Sequence, residues 1–515
     1  MKKRPRAAPA AESRAEPPAA PRFALLPGWR ELLDPRAPWL IPLLLVVATR
    51  LVAWSVLPVA AEDAYITFRY ARHLAAGLGL VYNPAERVLG FSSPLWTLWS
   101  ALGLRLLHDP VPWTRLSSLL ADLVTLIVAT GLLERETGTS GRPGRTAAWC
   151  FALFFALWPY FAFVSASGME SSAMLALLAL GAVLARRGSP ASGPVLALLA
   201  LWRPEGLPAA AVLALGARGR DRLVAAALTA AGLTALTAYF GSPVPQSLLA
   251  KATVYGTPGP WAGRFWWGWA LPLRLPGVGA TGEARHLGFL SVLLAPALFA
   301  GVAPLWRRRR GALALAVLAA ALVWAAYSAL GVAYFYWYLA VPLLAAALLA
   351  AVGLPRLVRG WPVYAAVVLL MSTQWLDAAP FYVGRAQNEY FGFAAVGQFL
   401  REHARPGESV LLEPIGIVGW LAPVRIVDEI GLVSPAVAAR RARGPGWYTD
   451  VAARYRPDWI VVRRRLLDGL DAFAGAGAPF RSAAERDTLF AGYRALATFD
   501  EAASGANALV ALHRR

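Results

Sequence analysis

Two adjacent carboxylates, Glu62 and Asp63, open the run Glu62-Asp63-Ala64-Tyr65-Ile66-Thr67-Phe68-Arg69-Tyr70-Ala71-Arg72-His73, which follows the first long apolar stretch of the chain. Carboxylates are favoured at the start of a helix, where backbone N–H groups are unpaired and the dipole is positive. Helical spacing puts Glu62, Tyr65, Arg69 and Arg72 on one face and Asp63, Ile66 and Tyr70 on a neighbouring one. Two readings are open. In the first, the carboxylates cap the helix and the arginines form surface ion pairs. In the second, a carboxylate stands over a site that opens toward lipid, with arginines nearby for an anionic head group. A carboxylate so placed takes a proton from a hydroxyl nucleophile, and arginines neutralise charge developing on a phosphate leaving group.

Other charged residues carry the same kind of choice. Lys251 is the only lysine besides Lys2 and Lys3; it either snorkels at the membrane interface or meets a phosphate. Arg203, in Arg203-Pro204-Glu205-Gly206, either pairs with Glu205 at a helix end or reaches the same phosphate. Glu170, beside Ser167 and Gly168, either caps a helix or faces the site. The five histidines (73, 108, 286, 403 and 513) have no metal-like spacing, so no metal ligands are expected. The one cysteine, Cys150, lies in an apolar run and behaves as a small hydrophobe.

The elements that must position these groups belong to a membrane. The chain has 515 residues, 58% hydrophobic and 16% charged, with a mean hydropathy of +0.50; soluble domains carry far more charge. Its net charge of +20 is almost entirely arginine between apolar segments, where it orients them; no nucleic-acid partner is implied. Apolar runs near 38–60, 113–133, 146–164, 170–186, 222–240, 284–304, 311–329, 336–353 and 361–379, with a shorter pair at 192–203 and 206–218, predict a polytopic α-helical protein of about eleven transmembrane helices. The amino terminus is then cytoplasmic and the carboxyl terminus outside, provided that Ser92 to His108 lies in the interface without crossing. Arg50 and Asp122 fall at mid-span, where ionisable groups need partners, and a mutual ion pair is the simplest reading. Residues 1–37 read as a disordered tail and 38–379 as the membrane domain, with a first outer loop at 61–112. Residues 380–515 read as an extracytoplasmic α/β domain, from strand-like runs at 409–412 and 459–462. The aromatic residues Trp261, Trp266, Trp267, Trp269 and Tyr334 to Tyr338 read mostly as an interfacial belt.

At the run Asn83-Pro84-Ala85-Glu86-Arg87-Val88-Leu89-Gly90-Phe91-Ser92-Ser93-Pro94-Leu95-Trp96 the sequence resembles a known family. From Glu62 to Trp96 it is similar to the first outer loop of polyprenyl-phosphate-sugar-dependent glycosyltransferases of the GT-C fold, most of all the mycobacterial terminal β-arabinofuranosyltransferase group. The likeness continues in Ser167-Gly168-Met169-Glu170, Arg203-Pro204-Glu205-Gly206, Gly241-Ser242-Pro243-Val244-Pro245-Gln246-Ser247 with Lys251, and Val427-Asp428 to Pro435. Leu89 stands where that group has an acid, and Gln246 where it has asparagine.

The resemblance implies an inverting transferase that moves a monosaccharide, arabinofuranose among the candidates, from a polyprenyl-phosphate donor to a hydroxyl of a cell-envelope glycan or glycolipid. Asp63 matches the general base, with Glu62 assisting or binding acceptor. Arg69, Arg72, Lys251 and Arg203 are the donor-phosphate candidates, and Tyr65, Glu86, Arg87 and Glu170 the substrate contacts. No cofactor is expected: a divalent ion on Glu62 and Asp63 is compatible with the residues, but a monophosphate donor does not require one. The lipid bilayer is itself a partner, and the location implied is a bacterial inner membrane. A protein O-mannosyltransferase-like enzyme, a lipid-linked-sugar transporter or flippase, and a non-catalytic assembly protein are the alternatives; polar residues gathered at one face favour surface chemistry over translocation.

Overall fold

A computed structural model describes residues 39–57, 59–138, 144–257, 282–307, 311–330, 332, 335–499 and 508–515. The expected disordered tail 1–37, the four tryptophans between 261 and 269, and Tyr334 lie outside the described residues.

The helices follow the apolar runs. They are α1 (Leu40–Val56), α2 (Glu62–Ala75), α3 (Pro94–Leu107), α4 (Pro110–Thr137), α5 (Arg145–Leu157), α6 (Pro159–Ala166), α7 (Ser171–Arg187), α8 (Ser192–Trp202), α9 (Gly206–Ala214), α10 (Gly219–Phe240), α11 (Gln246–Gly256), α12 (Gly282–Arg307) and α13 (Ala312–Leu330). A 3-10 turn, Tyr336–Leu339, leads into α14 (Ala340–Leu357), and α15 (Pro362–Asn388) continues through a π-turn, Glu389–Phe393, into α16 (Ala394–His403). The chain is a multi-pass membrane protein. Among the described residues five helical stretches are long and apolar enough to cross a membrane, six if the pair α5 and α6, bent by 52°, is one span. The bend falls at Trp158-Pro159, where proline cannot donate to the preceding turn. The expectation of eleven is therefore not met by length alone. The hairpin α8–α9 consists of 11 and 9 residues, and α1 of 17.

Local chemistry sets the helix ends near the site. Asp109 caps α4 by accepting the Val111 N–H at 2.9 Å, and Pro110 stands at its first position, where no donor is needed. Glu62 and Asp63 occupy the first turn of α2, and Arg72 and His73 its last, so both ends suit the dipole. Helix α3 spans only 14 residues and leaves Leu98, Trp99, Leu102, Leu106 and Leu107 exposed. That apolar face on a helix too short to cross fits the interfacial placement of Ser92 to His108. At mid-span, Arg50 and Asp122 do pair: Arg50 Nε donates to Asp122 Oδ2 at 2.9 Å.

After α16 the chain builds a five-stranded sheet from β1 (Ser409–Leu412), β2 (Arg425–Asp428), β3 (Trp459–Arg463), β4 (Tyr493–Phe499) and β5 (Leu509–Arg514), ordered β2-β1-β3-β5-β4. β1 runs parallel to β2 and β3, while β5 is antiparallel to β3 and β4. Helices α17 (Ile415–Leu421), α18 (Pro435–Arg441), α19 (Trp447–Tyr455), α20 (Arg464–Leu467) and α21 (Ala483–Ala491) connect or cover it. One face packs Leu411, Val427, Ile460 and Val462 against Trp447, Tyr448 and Phe480. The strand-like runs of the sequence coincide with β1 and β3. The tail is not set apart from the helices, since residues Ile41–Arg515 form one compact unit.

Candidate active site

Arginines of the first loop fasten it to the tail. Arg69, only 3% exposed, donates from its three nitrogens to the carbonyls of Tyr82 (2.9 Å), Gly419 (2.7 Å) and Val424 (2.9 Å). Arg72 donates to the Trp420 carbonyl at 2.7 Å and lies over the Trp420 ring. Asn83 acts as a further backbone mimic, exchanging two hydrogen bonds with Ile426 of β2. Glu86 pairs with Arg425 at 2.6 Å, and Arg87 lies over the Tyr239 ring. Tyr65 packs among Phe68 and Trp420; burial pushes its phenol up to about 12. None of these five site candidates (Arg69, Arg72, Tyr65, Glu86, Arg87) lines either large cavity described next. Their chemistry is committed to holding two remote segments of chain together.

Two cavities meet at Asp63. The first, of about 530 Å³, is bounded by α2, α9, α11 and α13 and lined mostly by apolar groups such as Pro208, Leu248, Leu249, Val323 and Leu330. Leu249 and Leu330 are themselves exposed on the helix surface, so this cavity is flanked by membrane-type surface. The second, of about 760 Å³, lies between α2, the end of α15 and the tail; it is lined by Glu62, Arg385, Glu389, Glu413 and Arg463, with Phe335, Phe381 and Phe393. Asp63, Ile66, Lys251, Tyr255, Trp337 and Leu432 line both.

Asp63 stands in the first turn of α2. Its Oδ2 accepts a hydrogen bond from Lys251 Nζ of α11 at 3.0 Å, across 188 residues of sequence. The ammonium also lies 4.2 Å from the centre of the Phe335 ring, a cation–π distance. Burial alone would lower the lysine's affinity for its proton, but Asp63 outweighs that and raises it. Glu62, its neighbour in sequence, faces another way. Its carboxylate accepts the backbone N–H of Gly416 at the start of α17, while its own N–H donates to Glu389 Oε2 at 3.2 Å. Burial, then Asp63 and Glu389, push the Glu62 carboxyl well above the usual range despite the Gly416 bond. Asp63 is thus the carboxylate that meets a cation, and Glu62 the one whose affinity for its proton burial raises.

Arg203, at the tip between α8 and α9, lies in the apolar cavity bonded to both Glu170 and Glu205. The expected pairing of Arg203 with Glu205 is present, and both residues line the cavity. Two carboxylates on one guanidinium leave this triad with an excess of negative charge. Lys251, by contrast, has one carboxylate partner, Asp63. In the second cavity Arg385 pairs with Glu389 at 2.8 Å and Arg463 with Glu413 at 2.7 Å. Nothing local in the sequence marks these four: they follow no motif, and they meet because the π-turn ends α15 beside the strand ends of β1 and β3.

The loop after β2 closes the junction. Asp428 collects the N–H groups of Ile430 (2.8 Å) and Val433 (3.0 Å) in its two carboxylate oxygens; burial nevertheless pushes it up to about 6. This folds Leu432 into the wall of both cavities. Gly90 permits the approach, since a Cβ there would stand 2.6 Å from Val433 Cγ1 and 2.9 Å from the Leu432 carbonyl. Gln246 Nε2 donates to the Gly431 carbonyl at 3.0 Å, tying the start of α11 to the same loop. Among the described residues no group of three or more His, Cys, Asp or Glu is placed to hold a metal ion.

Comparison with known proteins places this geometry in a fold. Residues 381–512 match a family described as a domain of unknown function (DUF8728). No curated protein matches the chain. The crystal structure of ArnT from Cupriavidus metallidurans bound to undecaprenyl phosphate is similar with a TM-score of 0.56 at 13% identity, covering 92% of this chain and 97% of that one. The apo form of the same protein gives 0.57 at 14% identity with the same coverage. At such identity the likeness is one of fold, and the fold is the GT-C architecture implied by the first loop.

Proposed function

We propose that the protein is an inverting membrane glycosyltransferase that takes a monosaccharide from a polyprenyl-phosphate donor and transfers it to a glycan or glycolipid hydroxyl. The observation that carries this reading is the Asp63–Lys251 pair at the junction of an apolar and a polar cavity. The apolar cavity, flanked by exposed leucines, takes the lipid-phosphate donor; undecaprenyl phosphate in the ArnT structure of the same fold supports a ligand of that class. The polar cavity takes the acceptor.

In the reaction, the acceptor oxygen forms a bond to the anomeric carbon while the bond from that carbon to the donor phosphate oxygen breaks. The hydroxyl proton passes to Asp63, and the bonding electrons leave with the lipid phosphate, which Lys251 meets. One displacement inverts the anomeric carbon. A phosphate monoester with a cation beside it leaves without an acid, and the step requires no metal. Arg203, with Glu170, shapes the donor cavity; Glu62 lines the acceptor side. Arg69 and Arg72 act at a distance by holding the tail over the site, and Tyr65, Glu86 and Arg87 buttress the first loop. Arabinofuranose is the sugar favoured by the first-loop resemblance.

In this proposal residues 38–379 are the catalytic membrane domain, eleven crossings place the 61–112 loop and the 380–515 tail outside a bacterial inner membrane, and the tail covers the acceptor cavity. Purified protein in lipid nanodiscs, incubated with a panel of polyprenyl-phosphate sugars and glycan acceptors, tests the reading by product analysis. Transfer from one of them, lost in Asp63→Asn, is the expected result; full turnover in that variant refutes the base.

A further inference from the structure

We infer that the Asp63–Lys251 ion pair is exchanged during the cycle: the donor phosphate takes Lys251 from Asp63, and only then is the carboxylate free to accept the acceptor proton. The inference rests on the proposed donor and acceptor cavities. It gives the reaction an order, donor before acceptor.

Four observations carry it. First, of the ion pairs among the described residues that line these cavities, this one alone faces both. The Glu170–Arg203–Glu205 group lies in the apolar cavity, and Arg385–Glu389 and Arg463–Glu413 lie in the polar one. Second, the two cations in the apolar cavity are unequal. Arg203 is held by two carboxylates, so a phosphate beside it meets excess negative charge, whereas Lys251 has a single carboxylate to give up. Third, Lys251 has a second anchor. Its ammonium lies over the rings of Phe335 and Tyr338, at 4.2 and 5.8 Å, and so stays in place when Asp63 departs. Fourth, no neighbouring carboxylate replaces Asp63. Glu62 is engaged by the Gly416 N–H, and Glu389 and Glu413 by their arginines.

The chemical consequence is direct. While Asp63 Oδ2 accepts a hydrogen bond from an ammonium, part of the carboxylate's charge is neutralised, and it is a weaker base toward a hydroxyl proton. When the donor arrives, its phosphodiester is a second anion beside the one ammonium, and as the bond to the anomeric carbon breaks that phosphate becomes a dianionic monoester, the stronger competitor for Lys251. The released carboxylate remains at the cavity junction, where the acceptor hydroxyl and the anomeric carbon must meet. The leaving group that Lys251 stabilises is then the same group that released the base.

A double-mutant cycle on lipid binding tests this without turnover. The full chain in nanodiscs is titrated with undecaprenyl phosphate, with the neutral polyprenol as control, in four forms: unaltered, Asp63→Asn, Lys251→Met and both. Asp63→Asn is expected to tighten undecaprenyl phosphate binding by about fivefold, the size of a part-buried ion pair. In the Lys251→Met background the same change is expected to matter less than about twofold, and polyprenol binding to be alike in all four. Equal tightening by Asp63→Asn in both backgrounds would mean simple repulsion and overturn the exchange, as would no tightening at all. If Lys251→Met leaves undecaprenyl phosphate affinity unchanged, the donor-phosphate role of Lys251 falls and the exchange with it, an outcome separable from the other two.

Discussion

Glu62 and Asp63 adjoin in sequence, yet their carboxylates serve opposite neighbours: Glu62 accepts the Gly416 N–H of the tail, and Asp63 accepts Lys251 Nζ of α11 at 3.0 Å. One turn of α2 thereby joins the sheet-bearing tail to the helix that borders the apolar cavity. Two acids side by side would be redundant as bases. Here burial raises one carboxyl's affinity for its proton while the other meets a cation, the kind of difference in environment by which paired carboxylates divide acid and base work.

The division predicts unequal variants. Asp63→Asn should lower kcat by about 10²- to 10⁴-fold, the range for losing a positioned base. Glu62→Gln keeps an oxygen for the Gly416 N–H and should cost about tenfold or less by the same measure. Steady-state kinetics with any active donor decides it. Equal losses in the two variants would return the base assignment to the pair as a unit.

The buried pair of Arg50 and Asp122 makes a prediction about stability. Both side chains are essentially inaccessible, and Arg50 also donates to the carbonyls of Phe155 and Ala156, so α1, α4 and α5 meet on one guanidinium. Arg50→Met leaves a buried carboxylate unpaired and should cost about 3–5 kcal/mol. The double variant Arg50→Met/Asp122→Leu should recover most of that. Thermal unfolding in detergent reads both; a single variant as stable as the parent would deny the pair its structural role.

Arg69 yields a third. Its three carbonyl partners come from the first loop, from within α17 and from the residue just before β2. Arg69→Met should loosen the tail, with a loss of at least about 1.5–3 kcal/mol for charge-assisted bonds, and speed proteolysis between residues 404 and 425. Arg69→Lys should rescue little, because one ammonium cannot reproduce a planar three-way fork. Protection equal to the parent in either variant would show that the tail docks by other contacts.

These sites differ in how far the sequence discloses them. Arg50 and Asp122 can be paired from sequence, since charges at mid-span have few other ways to be satisfied. Helix positions follow from apolar runs for the same physical reason. Asp63 stands out because it opens a polar helix just after a span. Its partner does not: nothing local in α11 says that Lys251 reaches back across 188 residues. Arg69 and Arg72 look like phosphate ligands because they share a helix with Asp63 and a face with Glu62, but spacing on a helix cannot show that backbone carbonyls of a distant tail already occupy them. The second cavity is least legible. Arg385, Glu389, Glu413 and Arg463 have ordinary spacing, and only the π-turn and the parallel pairing of β1 with β3 bring them to one wall.

A last prediction concerns pH and the tail. Glu429 is buried, with Oε1 accepting the Tyr448 hydroxyl at 2.9 Å, and burial with the nearby Glu413 charge pushes its carboxyl up to about 8, against the pull of Arg441 and Arg463. A carboxyl whose affinity for its proton is higher folded than unfolded binds more protons in the native state between the two values. Stability is therefore full below the ordinary glutamate range and is lost as pH rises toward about 8. Asp428, pushed up to about 6, adds a loss of the same sign over a lower window. Glu429→Gln should remove the slope between about pH 6 and 8 and roughly halve it between the ordinary glutamate range and 6, where Asp428 still contributes. The amide can still accept from Tyr448 Oη, so folding is retained. Unfolding midpoints of parent and variant at closely spaced pH values check this. Parallel curves from pH 6 to 8 would show that Glu429 keeps one charge state throughout that range.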